Sequence, residues 1–325
     1  MSKLILSLGI IVVGLSLGYA IQRLSSAGLL RLPISLDDLR KRLQKTALLF
    51  VLPVTVLGAI WIVDVRSISI AALPLIGVGA ITLGGILAMG AARMLKLEPR
   101  KTGALIPCGA FTNIGSIGAL ICYVYLGEKG FALVPIYKLF EELTYYSVGF
   151  PIAKYFSSMD AKQDSTGDRL KALFSDPFIL VALSSIILGG MLNLSDLPRP
   201  AIFGIINAVF IPLGTGLLLV SIGLAMRFES VHHHLKACAL VSLIKFAIVP
   251  FCATAVAWLI GYGQVDNGLP LKVVMILSSM PVAFNALIPP SIYDLDLDLA
   301  NACWFFTTSA LMVVLPVLLM LISMI

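Results

Sequence analysis

The sequence predicts an all-α protein that crosses a membrane many times, and three observations support this fold class. Hydrophobic residues make up 59% of the 325 positions, charged residues make up only 12%, and the mean hydropathy is +1.02. The apolar residues form long runs that are separated by short polar loops. Two of these runs carry a similar proline and asparagine pattern about half a chain apart. A water-soluble domain does not have this composition, so the runs are predicted to be transmembrane helices.

Ten apolar runs are predicted to cross the bilayer, which requires about 20 residues of helix. The predicted limits are 4–22, 46–64, 68–92, 102–126, 130–156, 177–194, 202–226, 237–262, 271–291 and 300–325.

The basic residues between the predicted spans fall mainly on one side of the membrane. Sixteen lie in the loops after spans 1, 3, 5 and 7, and five lie on the opposite side. Short loops that are rich in Lys and Arg face the cytoplasm, so both chain termini are predicted to lie outside the cytoplasm. The protein is therefore expected to be a multi-pass protein of a cell membrane, and specifically of a bacterial inner membrane.

The spans divide into two halves of five, which predicts an inverted repeat. Residues 1–156 form the first half, residues 157–176 a cytoplasmic linker, and residues 177–325 the second half. Because each half has an odd number of spans, the halves have opposite orientations in the membrane, as in many secondary transporters.

Two apolar stretches are predicted to be broken helices, one in each half. Residues 103–120 read GALIPCGAFTNIGSIGAL, and residues 275–292 read MILSSMPVAFNALIPPSI. Pro107 and Pro281 are 174 positions apart, and Asn113 and Asn285 are 172 apart. Proline breaks or kinks a helix, and in lipid a broken backbone is tolerated only where protein or a water-filled cavity satisfies it. The stretches are therefore predicted to be helices 4 and 9, which cross at a transport site.

The residue types at the two breaks suit an anionic substrate without a buried charge. Helix N-termini after each proline present free N–H groups and a partial positive charge to a carboxylate. Amides and hydroxyls add neutral hydrogen-bonding groups. The alternative is that each proline only kinks its helix and the amides tie the kink together. The predicted substrate-binding residues are Pro107, Thr112, Asn113, Ser116, Pro281 and Asn285, with Ser278 and Ser279 nearby.

Span 5 carries three ionisable residues, Lys138, Glu141 and Glu142, at a depth where such residues are costly. Lys138 is three and four positions from the glutamates, so one helix face can hold an ion pair. The functional alternative is that one glutamate carries a coupling proton, because two glutamates share one lysine. A further interpretation is that Lys138 attracts the anionic substrate.

Lys245 lies in span 8, about eight residues from the predicted cytoplasmic end and therefore roughly 12 Å deep. One interpretation is that its long side chain reaches back to the membrane interface. The other is that its ammonium attracts the anionic substrate.

Other functional classes have little support in the sequence. The five cysteines lack metal-ligand spacing and are expected to be buried free thiols. His232, His233 and His234 are interpreted as a polar turn, and the DLDLD stretch at 294–298 as a loop that caps span 10. The chain has no phosphate-binding glycine loop, GxSxG or HExxH motif. We therefore expect no enzyme activity, cofactor, metal or nucleic-acid partner.

The chain resembles the auxin efflux carrier family of permeases, the relatives of PIN-type auxin carriers, over nearly its whole length. The similar motifs are CGAFTNIGSIGAL followed by YLGEKGFALVPIY, then LLLVSIGLAM, and finally PVAFNALIPPSIYDLDLDLANACWFFTTSALMVVLP. The departures are Gly118-Ala119-Leu120, where the family usually has Gly-Leu-Pro, and the pair Glu141–Glu142 in place of a more neutral segment.

The resemblance implies ten spans in inverted repeats and crossing helices at Pro107 and Pro281, with Asn113 and Asn285 beside a carboxylate substrate. It also implies a scaffold part through which a homodimer could form. The function expected is a secondary carrier of a small organic anion, auxin-like or a dicarboxylate, that works by alternating access with H⁺ or Na⁺ coupling. The alternatives are a sodium-coupled symporter of the bile-acid type, which shares a Gly-x-x-x-Asn crossover (Gly109 and Asn113), and a membrane sensor that does not transport.

Overall fold

The structure, a computed structural model, describes residues 2–62, 71–157, 177–195, 197–226 and 231–324. Its regular elements in these ranges are all helical, and the only strand-like pairing there is one isolated antiparallel bridge. The first helices are α1 (Ser2–Ser26), α2 (Leu36–Thr46), α3 (Leu52–Ile60), α4 (Leu73–Met94), α5 (Pro99–Ala110), α6 (Ala119–Tyr137), α7 (Glu141–Thr144) and α8 (Phe150–Tyr155). They are followed by α9 (Pro177–Leu194), α10 (Ile202–Gly223), α11 (Leu235–Leu243), α12 (Val249–Leu259), α13 (Leu269–Ser278), α14 (Ile288–Ile292) and α15 (Leu297–Ser323).

Short π-helical or 3₁₀ turns join several of these helices. The π turns are Ala47–Val51, Ile114–Gly118, Tyr145–Gly149 and Ile244–Ile248, and the 3₁₀ turns are Val231–His234, Asp266–Gly268 and Phe284–Leu287. A π turn widens the helix by one residue and often occurs at functional sites. Two of these turns carry side chains of the candidate site that is described below.

Seven helices in the described ranges are long and apolar enough to cross a membrane, which confirms an all-helical polytopic protein. They are Ile5–Ser26, Leu36–Ile60, Leu73–Met94, Ile114–Tyr137, Ile202–Gly223, Leu235–Leu259 and Leu297–Ser323. The remaining predicted spans are shorter or interrupted helices. Most of the predicted linker, and Arg66 in a predicted loop, lie outside the described residues.

Predicted span 130–156 is not one continuous helix. Helix α6 begins before it, at Ala119, and bends at Gly127, where φ is 73° and ψ is −164°. The helix ends at Tyr137, and residues 138–140 form a turn before α7. The Tyr137 carbonyl lies against Gly77 of α4, where an added Cβ would be 2.4 Å from the oxygen. A glycine on the neighbouring helix therefore makes room for this helix end.

Two compact units are distinguished by their internal contacts. The first comprises Met1–Ser67, Gly115–Pro135 and Asp176–Met226. In it α1 packs on α10, and a Cβ on Gly18 would lie 2.2 Å from the Val220 carbonyl oxygen. Glu128 forms an ion pair with Arg199, whose guanidinium also donates to the Gly58 carbonyl at 3.0 Å.

The second unit comprises Ile68–Ile114, Ile136–Ser175 and Arg227–Ile325. Helices α4 and α5 meet through Gly84 and Gly109, α11 packs on α15, and α12 packs on α13. Asp296 caps the N-terminus of α15 by accepting from the Leu299 N–H at 2.8 Å, as the sequence predicted for this acidic loop. The five cysteines are free thiols, and they are buried as predicted except for Cys252, which is half-buried.

Candidate functional site

The first break in a helix consists of residues 111–113, between α5 and the π turn Ile114–Gly118. Phe111 has extended backbone angles, with φ −79° and ψ 126°. The prediction that Pro107 itself interrupts the helix is wrong, because Pro107 lies inside α5 and its carbonyl accepts from the Phe111 N–H at 2.8 Å. Proline lacks a donor but keeps its acceptor, so the helix continues for one turn beyond it.

The second break consists of residues 280–283, between α13 and the 3₁₀ turn Phe284–Leu287. Here Pro281 lies in the break itself, as the sequence predicted. The residue that precedes a proline is disfavoured in the α conformation, which explains why the helix has ended by Met280. Both breaks are buried.

The two breaks pair with each other through their backbones. Thr112 and Val282 form an isolated antiparallel bridge. The Asn113 N–H donates to the Pro281 carbonyl at 2.9 Å, and the Ala283 N–H donates to the Phe111 carbonyl at 3.0 Å. Each break therefore supplies the backbone partners that the other lost when its helix ended.

Lys245 supports the first break from the π turn Ile244–Ile248. Its side chain is buried, with 1% of the residue exposed. The ammonium donates to the Thr112 hydroxyl oxygen at 2.7 Å and to the Ala110 carbonyl at 3.2 Å. This is not the position expected if the side chain reached back to the membrane interface, so that interpretation is wrong. The ammonium is held at the break itself.

Tyr145 also supports the first break, and sequence reasoning did not identify it. Its hydroxyl oxygen accepts from the Thr112 N–H at 3.2 Å, and its O–H donates to Glu141 Oε1. Its ring stacks on Phe111, with the ring centroids 3.8 Å apart. Tyr145 begins a π turn, which sets the direction of the side chain, and no pattern in the sequence marks that turn.

The ion pair predicted from spacing is present. Lys138 Nζ lies 3.2 Å from Glu141 Oε2, and Glu141 is buried with 4% exposed. Glu142 lies in α7, but its side chain is outside the described residues. Glu141 therefore contacts both a partly exposed lysine of the preceding turn and a tyrosine that holds the first break.

The second break has a neutral support. The Val282 N–H donates to the Thr307 hydroxyl oxygen of α15 at 3.2 Å. Thr307 in turn donates to the Cys303 carbonyl at 2.8 Å, within its own helix. The hydroxyls of Ser278 and Ser279 donate to carbonyls of the preceding turn.

The predicted site residues are only partly brought together. Thr112, Asn113, Pro281 and Lys245 meet in the second unit. Asn285 is exposed in the 3₁₀ turn after the second break, and Ser116 is buried but belongs to the first unit. In the described ranges, the structure contains no group of three His, Cys, Asp or Glu side chains arranged to hold a metal ion.

The arrangement places two opposite charges on either side of one neutral backbone segment. Both charges are connected to Thr112, Lys245 through a hydrogen bond to its hydroxyl and Glu141 through Tyr145, which accepts from its backbone N–H. Helical turns begin just after each break, at Ile114 and Phe284, and their N–H groups favour negative charge. Chemically, the site can attract and orient an anion.

Comparison with known proteins shows what this chain is similar to. It is 26% identical over 280 residues to an uncharacterized transporter of Methanothermobacter thermautotrophicus, covering 84% of this chain and 86% of the relative. It is 25% identical over 219 residues to an uncharacterized transporter of Methanocaldococcus jannaschii, covering 66% and 67%. The sequence model of a family described as "Membrane transport protein" matches residues 34–319. The chain therefore belongs to this membrane transport protein family, the auxin efflux carrier family that its motifs resemble.

Proposed function

We propose that this protein is a secondary transporter that moves a small organic anion across the membrane by alternating access. The observation that carries the proposal is the buried ammonium of Lys245 at the first break. In the described part of the chain, no carboxylate oxygen lies within 4 Å of this ammonium. Its two hydrogen bonds go to neutral oxygens.

A buried cation whose hydrogen bonds go only to neutral atoms is expensive, and Glu141 attracts this ammonium only across Thr112 and Tyr145. A substrate carboxylate beside the first break would supply a nearby opposite charge. The N–H group at Phe284 would add to the attraction because it begins a helical turn, whereas the Ile114 N–H already donates to the Thr112 carbonyl at 2.8 Å. The substrate class that this chemistry favours is a carboxylate, either auxin-like or a dicarboxylate.

The remaining predicted residues take secondary roles in this proposal. Asn113 and Asn285 offer amides, and Thr112 and Ser116 offer hydroxyls, to the polar atoms of the substrate. Pro107 and Pro281 shape the backbone. Lys138 attracts the anion less than Lys245 does, because its charge is largely offset by its ion pair with Glu141.

The same proposal includes a membrane arrangement. Ten spans form two inverted repeats, residues 1–156 and 177–325, which are joined by the cytoplasmic linker 157–176. The antiparallel pairing of the two breaks supports this arrangement, because inverted repeats present their broken helices to each other in opposite directions. The protein lies in a bacterial inner membrane, and both of its termini are on the non-cytoplasmic side. It carries no enzyme activity.

Coupling to protons is the second part of the proposal. Glu141 is buried, contacts Lys138, and is linked through Tyr145 to the backbone of the first break. Protonation of Glu141 would alter its hydrogen bond with Tyr145. Because Tyr145 also accepts from the Thr112 N–H, this change would be transmitted to the first break, where the substrate is proposed to bind. Glu142 is the other acid proposed for this role, and Na⁺ is the alternative coupling ion.

The test is uptake of labelled mono- and dicarboxylates into proteoliposomes, with pH and Na⁺ gradients imposed separately. Lys245→Met should lower the apparent affinity for the carboxylate about 10- to 100-fold, the loss expected for one charged hydrogen bond. Lys236→Gln is the matched control, because Lys236 is an exposed lysine at the start of α11, the helix that leads to Lys245. Glu141→Gln and Glu142→Gln should be compared to find which of them removes the pH dependence of uptake without abolishing uptake itself.

The possible results separate the functional classes. Gradient-driven uptake that Lys245→Met reduces and Lys236→Gln leaves unchanged would support the anion carrier. Carboxylate binding to a folded protein with no flux under any gradient would favour a membrane sensor. Uptake driven only by Na⁺ would favour a symporter of the bile-acid type. A homodimer, which the family resemblance implies, is tested separately by the mass of the purified protein.

A further inference from the structure

A small cavity lies away from the helix breaks, at the end of α4 and the beginning of α5. It has a volume of about 210 Å³, and both Arg93 and Lys96 line it. Both side chains are exposed and, within the part of the chain that the structure describes, neither forms an ion pair. Arg100, three residues before Gly103 in α5, is different because it is paired with Asp294. Among the described residues, no ion pair therefore neutralises the two cations of this cavity.

Apart from the hydroxyl-bearing Thr102, the rest of the cavity wall is apolar. Met89 and Ala92 of α4, Leu97 in the following loop, and Phe156 after α8 all line it. The cavity therefore has cationic side chains at its rim and mainly apolar side chains along its wall. A free inorganic anion would use the rim only, whereas an amphiphile with an anionic head group would use both.

Lys96 adopts an uncommon backbone conformation at this cavity. Its φ is 51°, in the left-handed region, and it follows the helix end Leu95. The Lys96 N–H donates to the Arg93 carbonyl and the Leu97 N–H to the Ala92 carbonyl, at 3.1 and 3.0 Å. This is the helix-ending motif in which glycine is usual, because a Cβ is unfavourable there. The chain has a lysine at this position and thereby gains a cation on the rim.

The location of the cavity identifies the kind of ligand. Helix α4 is one of the helices long and apolar enough to cross the membrane, so its last turn is expected at the bilayer boundary. The sequence predicts that this end faces the cytoplasm, where basic pockets between helices bind anionic lipid head groups. A volume of about 210 Å³ is below the range of about 300–1,000 Å³ that drug-sized ligands need. It suits a phosphate head group with the start of its acyl chains.

We propose that this cavity is a binding site for the phosphate head group of an anionic phospholipid, with Arg93 and Lys96 as the cationic ligands. Arg93 can present its planar guanidinium to two phosphate oxygens, and Lys96 adds a point charge. The acyl chains would run along Met89 and Phe156. Bound lipid would contact α4, the loop before α5 and the end of α8, and would hold these elements of the second unit together.

The experiment measures binding of phosphatidylglycerol to the purified full-length protein in a neutral detergent, by native mass spectrometry over a lipid titration. Phosphatidylcholine and inorganic phosphate serve as separate probes in the same titration. Each basic residue near a membrane surface contributes to the attraction of anionic lipid, and removing two should weaken phosphatidylglycerol binding about 30-fold. The test variant is therefore Arg93→Gln with Lys96→Gln.

Two further variants keep the test independent of folding. Arg42→Gln with Lys45→Gln is the matched control, since it removes an exposed Arg and Lys with the same three-residue spacing from α2, on the same predicted side of the membrane. Lys96→Gly removes one cation but suits the left-handed backbone. It should raise the thermal stability of the lipid-free protein while weakening phosphatidylglycerol binding about fivefold.

The proposal is supported if phosphatidylglycerol binds more tightly than phosphatidylcholine, if the cavity variant and Lys96→Gly weaken that binding, and if the α2 control does not. Equal weakening by the α2 control would show that overall charge, and not this cavity, attracts the lipid. Unchanged binding in the cavity variant would overturn the site. Inorganic phosphate that competes with the lipid at equal concentration would overturn the lipid in favour of a free anion.

Discussion

The first break, residues 111–113, and the second break, residues 280–283, share one antiparallel backbone pairing but have different supports. Around the first break the partners are charged or lead to a charge, namely Lys245 and the Tyr145–Glu141 pair. At the second break the partner is a neutral hydroxyl, that of Thr307. The amides differ as well, since Asn113 is buried and Asn285 is exposed. The first break is therefore the electrostatic half of the candidate site.

The difference indicates that the two breaks have different roles. Buried charges cost free energy that a neutral support does not, so charges at one break only suggest a role beyond holding the backbone in place. A hydroxyl is sufficient to satisfy the free N–H of Val282. The charges at the first break are then available to respond to a charged ligand or to a proton.

The largest effect on the unfolding free energy is expected where α5, the helix that leads to the first break, contacts α4. A Cβ on Gly84 would lie 2.2 Å from the Gly109 carbonyl oxygen, whereas a Cβ on Gly85 would lie 3.5 Å from its nearest neighbour. Gly84→Ala must separate α4 from α5, which should cost about 3 kcal/mol of unfolding free energy. Gly85→Ala should change it by less than about 1 kcal/mol. Unfolding titrations with SDS would measure both.

The comparison with the second break makes this prediction specific. Helix α13, which leads to that break, is buried through larger side chains such as Val274 and Leu277 and contains no glycine. If Gly84→Ala were tolerated as well as Gly85→Ala, the close backbone contact would not be what positions α5.

The second-largest effect on stability is expected at Thr112, in the first break, and is compared with that at Thr307, which supports the second break. Thr112→Val removes an acceptor from a buried ammonium and should lower the unfolding free energy by about 2 kcal/mol. Thr307→Val removes a neutral acceptor and should cost about 1 kcal/mol. The same SDS titration measures both changes.

A control for the loss of a threonine hydroxyl comes from the first unit. The buried Thr55 donates only within its own helix, to the Leu52 carbonyl, so Thr55→Val gives the baseline. Losses of equal size at Thr112 and Thr307 would contradict the view that charge distinguishes the breaks.

Sequence reasoning located the second break better than the first, and the reason is physical. Pro281 interrupts its own helix, so the proline marks the break directly. Pro107 is followed by a further turn of helix, and the break comes at Phe111. The sequence matches Asn113 with Asn285 as equivalent positions of a repeat, but it does not predict that the bridge pairs Thr112 with Val282.

Local spacing predicted some of the site, and tertiary packing determined the rest. The pair Lys138–Glu141 follows from its three-residue spacing, although Lys138 lies in the turn before α7 and not on the same helix as Glu141. The contact of Lys245 with Thr112 joins residues 133 positions apart, and the contact of Tyr145 with Thr112 depends on a π turn. Neither contact carries a local sequence signal, so the sequence predicts neither the role of Tyr145 nor the direction of the Lys245 side chain.

The smallest stability effect is expected at Asn285, and it is the most informative about function. Because its side chain is exposed, Asn285→Ala should change the unfolding free energy by no more than about 0.5 kcal/mol. If the amide binds substrate, the KM for carboxylate uptake should nevertheless rise about tenfold. Asn113→Ala should lower both stability and uptake, because Asn113 is buried at the first break.

Gln264→Ala is the control for this last comparison, since Gln264 is another exposed amide of the second unit, in the loop before α13. It should alter neither stability nor uptake. If Asn285→Ala behaved in the same way, the second break would act only as a backbone partner. Substrate recognition would then rest on the first break, with Lys245 as the group that selects an anion.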